Sequence, residues 1–144
     1  MSDNNEKENC IFCKIVAGEI PSVDIYEDEK VKAFLDINPV TYGHTLVIPK
    51  EHFPFMPDLP DDITGYVFKV AKHLMNDIKK AYSADFVTLV VVGIDVPHFH
   101  IHLIPRKQGD GIANFWPTTT YQEGDMEKEA ERIRSYISPF KIEK

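Results

Sequence analysis

The stretch His98-Phe99-His100-Ile101-His102 decides the fold of this chain, because it places three histidines at alternate positions inside the apolar run 96–104. Successive side chains of a β-strand point to opposite faces of its sheet, so this spacing predicts a strand with all three imidazoles on one face. The apolar residues between and after the histidines then point into a core. They are Phe99, Ile101 and Leu103.

The distance between the rings predicts different roles for them. Neighbouring histidines on one face of a strand lie about 6.6 Å apart, and the outer two about 13 Å apart. Two adjacent rings can bind one metal ion at about 2.1 Å from each nitrogen, but three can do so only if the strand bends. Histidine titrates near neutrality and acts as nucleophile, proton carrier or ligand. Two alternatives are a solvated strand face and a three-histidine metal site.

Length, charge and hydropathy limit the class of protein. The 144 residues, 43% of them apolar, are long enough for one core and short for two, which predicts one domain. A net charge of -7 and a pI near 5.3 argue against binding a nucleic acid polymer. No apolar run approaches the roughly 18 residues that cross a membrane, and residues 1–9 lack the core of a signal peptide. The sequence therefore predicts a cytoplasmic protein that does not bind a membrane.

Hydrophobic periodicity predicts an α+β fold. Residues 1–8 are polar and are predicted to be a disordered tail. Short links between the strands favour an antiparallel sheet over a doubly wound one, and the turn 27–30 is predicted to close a hairpin. The predicted helices cover residues 12–17, 61–82 and 125–137, and the long one is capped by Asp61 or Asp62 and ends at about Tyr82. The predicted strands cover residues 23–26, 31–35, 44–49, 86–92 and 98–104.

Two cysteines form a second group of interest near the start of the chain. Cys10 and Cys13 have the spacing that lets two thiolates take adjacent corners of a tetrahedral zinc site. One such pair also fits a redox motif or two reduced thiols in the cytosol. The redox interpretation needs a strand before the pair and a crossover helix, which the sequence does not predict.

Several segments resemble the histidine triad (HIT) superfamily, and they occur in the family's order. Residues 98–106 (HFHIHLIPR) resemble its signature, in which histidines alternate with apolar residues. Residues 10–21 (CIFCKIVAGEIP) resemble its opening, and residues 34–39 (FLDINP) and 43–52 (GHTLVIPKEH) resemble its middle. The similarity is to the Hint-like, nucleotide-binding branch of the bacterial zinc-binding type.

The resemblance implies an architecture. It implies a HIT-like α+β fold with a five-stranded antiparallel sheet, one long helix, a short amino-terminal helix and a carboxy-terminal helix. It also implies a homodimer whose sheets join. The HIT domain would cover residues 9–107, and residues 108–144 would form a carboxy-terminal extension with a helix.

The resemblance also implies a reaction. His100 would attack the α-phosphorus of a nucleotide, and water would hydrolyse the nucleotidylated histidine. His102 would donate a hydrogen bond to a phosphate oxygen, and His98 would act beside them or bind zinc. The implied substrates are purine nucleoside phosphoramidates or dinucleoside polyphosphates, with AMP or GMP as the bound nucleotide. Alternatives are a nucleotide-binding regulatory protein with little turnover, and a zinc-held dimer whose triad is structural.

The remaining implied site residues bind metal, ribose and base. Asp36 would accept hydrogen bonds from the ribose hydroxyls, between Phe34 and Ile37 as apolar walls of the base pocket. His44 would support the triad from a neighbouring strand. Without the family, Asp36 is a turn residue and His44 a core histidine. The implied ligands of a structural zinc ion are Cys10, Cys13, His52 and His98.

The loop before the triad departs from the family pattern. Asp95 stands where a Ser or Thr usually donates a hydrogen bond to phosphate, although the backbone N–H of Gly93 remains available as a donor. An ionised carboxylate accepts hydrogen bonds and repels phosphate, so Asp95 turns away, is protonated, or marks a different substrate or leaving group. Further along, Trp116 fits either stacking on a leaving group or a core-capping role.

Overall fold

The computed structural model describes residues 2–113 and 117–142, and the side chains of residues 5–113 and 117–142. The chain forms two compact units, Met1–Asp110 and Gly111–Lys144. The division into a HIT domain over 9–107 and an extension from 108 stays a prediction. Trp116 lies outside the described residues.

The first unit contains a five-stranded antiparallel sheet in the order β1-β2-β3-β5-β4, which confirms the predicted fold class. The described residues of the second unit contain helix α4. The elements are α1 (Ser2–Glu8), α2 (Ile11–Val16), β1 (Asp24–Glu27), β2 (Val31–Leu35), β3 (Thr45–Pro49), a 3-10 turn (Met56–Asp58), α3 (Asp61–Ala81), β4 (Phe86–Val90), β5 (Ile101–Arg106) and α4 (Asp125–Tyr136). No helix of the described ranges is both long and apolar enough to cross a membrane.

The central strands of the sheet contribute to apolar clusters on both of its faces. Long helix α3 covers one face with an apolar stripe at helical spacing, made by Val67, Ala71, Leu74 and Ile78. Short helix α2 contributes Phe12 and Ile15 to a second apolar cluster, with Phe34, Leu46 and Ile48 of the strands. Alternate residues of β2 and β3 join different clusters, as the pleat requires. The triad histidines therefore belong on the α2 side, because Phe99, Ile101 and Leu103 belong to the α3 core.

The β1–β2 hairpin forms as predicted, and one aspartate explains its turn. The carboxylate of Asp28 accepts hydrogen bonds from the backbone N–H groups of Lys30 (2.8 Å) and Val31 (2.9 Å). Such a contact replaces the backbone hydrogen bond of an ordinary turn.

The start of β5 differs from the prediction. The strand begins at Ile101, so only His102 of the three histidines lies within it. The backbone N–H of Phe99 donates to the carbonyl of Phe53 at 2.7 Å, not to a strand of the sheet. The chain therefore joins the sheet only at Ile101, and residues 98–100 lie outside the strand.

Three smaller expectations also differ from the structure. Residues 1–8, predicted to be disordered, contain helix α1, which backbone hydrogen bonds from Asn9 and Cys10 extend toward α2. The cap of α3 is Pro60, and the two predicted capping aspartates occupy the first helical turn. Strand β4 ends at Val90, where its pairing with β5 ends.

Candidate active site and metal centre

A pocket of about 500 Å³ opens beside the triad on the α2 side of the sheet. His100 and His102 line it, together with His44 and Asp36. Phe34, Ile37 and Asp95 also line it, so most of the predicted catalytic and substrate residues meet here. Gly93 and His98 are not among the described residues that line this pocket.

His100 is buried, with 4% of its surface exposed, and one ring nitrogen is already used. Its Nδ1 lies 2.8 Å from the carbonyl oxygen of His98. A carbonyl can only accept, so Nδ1 carries a proton, and in the neutral ring the lone pair is therefore on Nε2. An uncharged imidazole in this tautomer is a nucleophile.

His44 and His102 form a chain of hydrogen bonds with a fixed direction. The backbone N–H of Val40 donates to Nδ1 of His44 at 3.0 Å, so the proton of the His44 ring is on Nε2. That Nε2 lies 2.9 Å from Nδ1 of His102, which must then accept. The proton of His102 is therefore on Nε2, a buried atom without a partner among the described residues. The chain leaves His102 with one unused N–H donor beside His100.

The same contacts keep His102 uncharged. Burial, and then the nearby His100 and His44, lower the pKa of His102 to about 4 from 6.5. Burial also lowers the pKa of His44, against the opposing effect of Asp36, whose Oδ2 lies 3.6 Å away. If Nδ1 of His102 were protonated, two N–H donors, Nε2–H of His44 and Nδ1–H of His102, would face each other at 2.9 Å, and the hydrogen bond would be lost.

Stability is therefore expected to fall as the pH is lowered from about 6.5 to about 4. In this window the unfolded chain protonates His102 and the folded chain does not, so the unfolded state binds more protons. The contribution of His102 is about 1–3 kcal/mol of unfolding free energy over the window. Urea unfolding at pH 7 and pH 4.5 measures it, with His102→Asn as the comparison. An equal pH dependence in both proteins would contradict the assignment.

A separate cluster joins the amino-terminal segment to His98, the first histidine of the triad. The ligand atoms of Cys10, Cys13, His52 and His98 all lie within 4.8 Å of one another. Nδ1 of His98 lies 3.4 Å from Sγ of Cys10 and 3.5 Å from Sγ of Cys13, and Nδ1 of His52 lies 3.2 Å from Sγ of Cys13. The four residues predicted as metal ligands therefore come together.

The chemistry of this cluster suits a metal cation. Nε2 of His98 lies 2.8 Å from the carbonyl oxygen of Pro49 and must donate to it, so Nδ1 faces the cysteines as a lone pair. Burial lowers the pKa of His98 to about 4, which keeps the ring neutral. Burial, with the nearby Cys10, raises the pKa of Cys13 to about 12. Two adjacent thiolates therefore need a cation between them.

Asp36 stabilises a turn and also lines the pocket. Its Oδ1 accepts the backbone N–H of Asn38 at 2.8 Å, which is the turn contact that its position predicts without the family. Its Oδ2 points toward His44, and the residue lines the pocket. Phe34 is buried, whereas Ile37 is 91% exposed at the pocket mouth.

One wall of the pocket was not expected from the sequence. Helix α2 supplies Ile11, Phe12 and Ile15 to the lining. The ring of Phe12 packs edge-on against Phe34 and His100, with centroids 5.6 Å and 5.1 Å apart. One sequence feature could have indicated this role for Phe12, which is its position between Cys10 and Cys13. A metal ion bound by both cysteines would fix the residues between them.

Comparison with known proteins identifies the family. The HIT domain matches residues 17–109. The chain belongs to the HIT domain family. Within it, the chain belongs to the Hint-like branch, and the relative named below as a phosphoramidase supports a nucleotide hydrolase activity.

Three HIT proteins show how close the similarity is. The protein named hit of Bacillus subtilis is 41% identical over 143 residues, covering 91% of this chain and 96% of its own. The adenosine 5'-monophosphoramidase HNT1 of Saccharomyces cerevisiae is 38% identical over 121 residues, covering 83% of this chain and 75% of its own. The crystal structure of a Zn-bound histidine triad family protein from Mycobacterium smegmatis has a TM-score of 0.71 at 31% identity, covering 90% of this chain and 98% of that one.

Proposed function

We propose that this HIT protein hydrolyses purine nucleoside phosphoramidates through a nucleotide covalently bound to His100. The observation that carries the proposal is the 2.8 Å contact between Nδ1 of His100 and the carbonyl oxygen of His98. It leaves Nε2 as a nucleophile in a pocket that also holds the free N–H of His102. The phosphoramidase name of the yeast relative supports the same chemistry.

The reaction has two displacements at one phosphorus atom. Nε2 of His100 forms a bond to the α-phosphorus, and the P–N bond to the amine breaks. The amine leaves with that electron pair and a proton from solvent. Water then attacks the same phosphorus and releases a proton to solvent, while the P–Nε2 bond breaks, its electron pair returns to Nε2, and the nucleoside monophosphate is released. His102 Nε2–H donates to a phosphate oxygen whose charge increases during each displacement.

The substrate is proposed to bind with its ribose at Asp36 and its base between apolar side chains. Oδ2 of Asp36, and the second lone pair of its Oδ1, are the proposed acceptors for the ribose hydroxyls. Phe34 and Ile37 lie next to Asp36 and give the base an apolar site. Dinucleoside polyphosphates remain a second substrate class with the same nucleotide half.

Incubation with adenosine 5'-monophosphoramidate tests the function. We expect release of AMP and ammonia, and a protein mass increased by one adenylyl group when the reaction is quenched early. The contrasting function, a nucleotide-binding regulatory protein, is favoured by Asp95 in place of a hydroxyl donor. Affinity for AMP with neither turnover nor the added mass would support that alternative and contradict the hydrolase.

We also propose that the ion bound by Cys10, Cys13, His52 and His98 is structural zinc. Zinc bonds of about 2.3 Å to sulfur and 2.0–2.1 Å to nitrogen place tetrahedral ligands about 3.5 Å apart. The contacts between Sγ and Nδ1 atoms in this cluster, 3.2 to 3.5 Å, agree with that edge length. The Zn-bound mycobacterial HIT structure supports the same element. With four protein ligands the ion would lack an open position for substrate.

The homodimer and the cytoplasmic location stay predictions. The sheet offers one structural reason for a dimer. Strand β4 is at its edge, paired on one side only among the described residues, and Leu89 is partly exposed along it. An uncovered strand edge is a site for pairing with a second copy of the chain.

A further inference from the structure

The charges that line the triad pocket differ from those of a polyphosphate site. Its described lining contains the carboxylates of Asp36 and Asp95 and no lysine or arginine. Sites for several phosphate groups concentrate cationic side chains, because each group adds negative charge. An anionic leaving group therefore meets repulsion here that no cationic side chain of the described lining offsets.

A second cavity, of about 780 Å³, lies next to the triad pocket. The two cavities share Ile11, Asp95 and Val96 in their linings. Asp95 therefore lies between them. Asp36, the proposed ribose acceptor, lines only the triad pocket. A nucleotide bound with its ribose at Asp36 therefore has the second cavity at the opposite, Asp95 end.

The second cavity combines apolar and acidic surface. Phe55 is half exposed in it, beside Pro54 and Pro97. Glu6 and Asp58 add carboxylates to that of Asp95, and the described lining contains no basic side chain. One oxygen of Asp58 accepts the backbone N–H of Phe55 at 3.0 Å, so its carboxylate is fixed at this wall. An amine with an apolar chain and a distant positive charge matches such a surface.

We propose that Asp95 selects the leaving group by charge, and that the second cavity receives a leaving amine that carries an ammonium or guanidinium group. This inference rests on the proposed phosphoramidate hydrolysis and names its substrate class. Asp95 is exposed and lines the pocket of His100 and His102, and its charge opposes the lowering of the pKa of His102. Its carboxylate therefore acts electrostatically on His102, the residue proposed to contact the phosphate.

Three substrates that differ only in one terminal group test the proposal. Each has AMP joined by the same P–N bond to an alkylamine of equal length, which ends in an ammonium, a methyl or a carboxylate group. We expect kcat/KM to be about tenfold higher for the ammonium than for the methyl compound, and lower still for the carboxylate compound. The ammonium preference should decrease at high salt.

Asp95→Asn should bring the ammonium-to-methyl ratio close to one. Asp77→Asn is the control, since it removes the same charge from an exposed position on α3 outside both linings. Wild-type ratios near one, or an unchanged ratio in Asp95→Asn, would overturn the proposal. Calorimetric dissociation constants of the same compounds for His100→Ala measure the preference without turnover, so loss of the hydrolase proposal and loss of charge selection are separate results.

Discussion

Replacing His100 with alanine is expected to lower kcat for adenosine 5'-monophosphoramidate by at least about 1,000-fold, which corresponds to about 4 kcal/mol of transition-state free energy. The variant removes the atom that bonds to phosphorus and leaves Asp36 and His102 in place. The affinity for AMP should therefore change less than about tenfold. The adenylylated mass should disappear from quenched samples.

His73→Ala is the matched control for this experiment, because His73 is exposed on α3 and lies outside the triad pocket. Its kcat should equal that of the wild-type protein. Rapid hydrolysis by His100→Ala, with or without the added mass, would assign the nucleophile to another group. Loss of AMP binding together with kcat would instead show that His100 supports the pocket.

The alternation of histidine and apolar residues was enough to predict which side chains share a face. Phe99, Ile101 and Leu103 lie in the α3 core as the period of two requires. The local pattern did not show where the strand begins, since that depends on a distant partner. The N–H of Phe99 bonds to the carbonyl of Phe53, which no periodicity in residues 96–104 encodes.

The direction of the hydrogen bonds could not be predicted from the sequence either. The role of His102 depends on the backbone N–H of Val40, which donates to His44. Val40 lies in the loop before β3, and the sequence around it does not indicate this contact. His44 was open to two interpretations, a support for the triad or a satisfied core histidine. In the structure the ring is 4% exposed and hydrogen-bonded on both nitrogens, with His102 as one partner. Its support of the triad stays a prediction.

The pocket wall formed by α2 shows a further limit. Cysteine spacing predicted possible ligands, but only the three-dimensional structure shows that Phe12 packs against His100. The four-residue cluster thus has a second consequence beyond holding the amino-terminal segment. His98 belongs to the cluster through its side chain, and its carbonyl oxygen accepts the Nδ1 proton of His100. A metal ion there would fix the position of the nucleophile.

Removing zinc is therefore expected to reduce both stability and turnover. Chelation of the wild-type protein, or Cys13→Ser, should lower Tm by about 10 °C or more, because a structural zinc site contributes several kcal/mol to a domain of this size. We expect one zinc ion per chain by elemental analysis of the wild-type protein, and much less in the variant.

The chelated wild-type protein should also lose part of its kcat, since His98 no longer holds the carbonyl that orients His100. Chelator added to Cys13→Ser is the internal control and should have no further effect on Tm. Restoring zinc should recover the wild-type protein but not the variant. A wild-type protein that contains no zinc when purified without chelator, or that keeps its Tm after chelation, would contradict a structural zinc site. Loss of stability with unchanged kcat would separate the two roles, since it would show that the ion holds the amino-terminal segment without orienting His100.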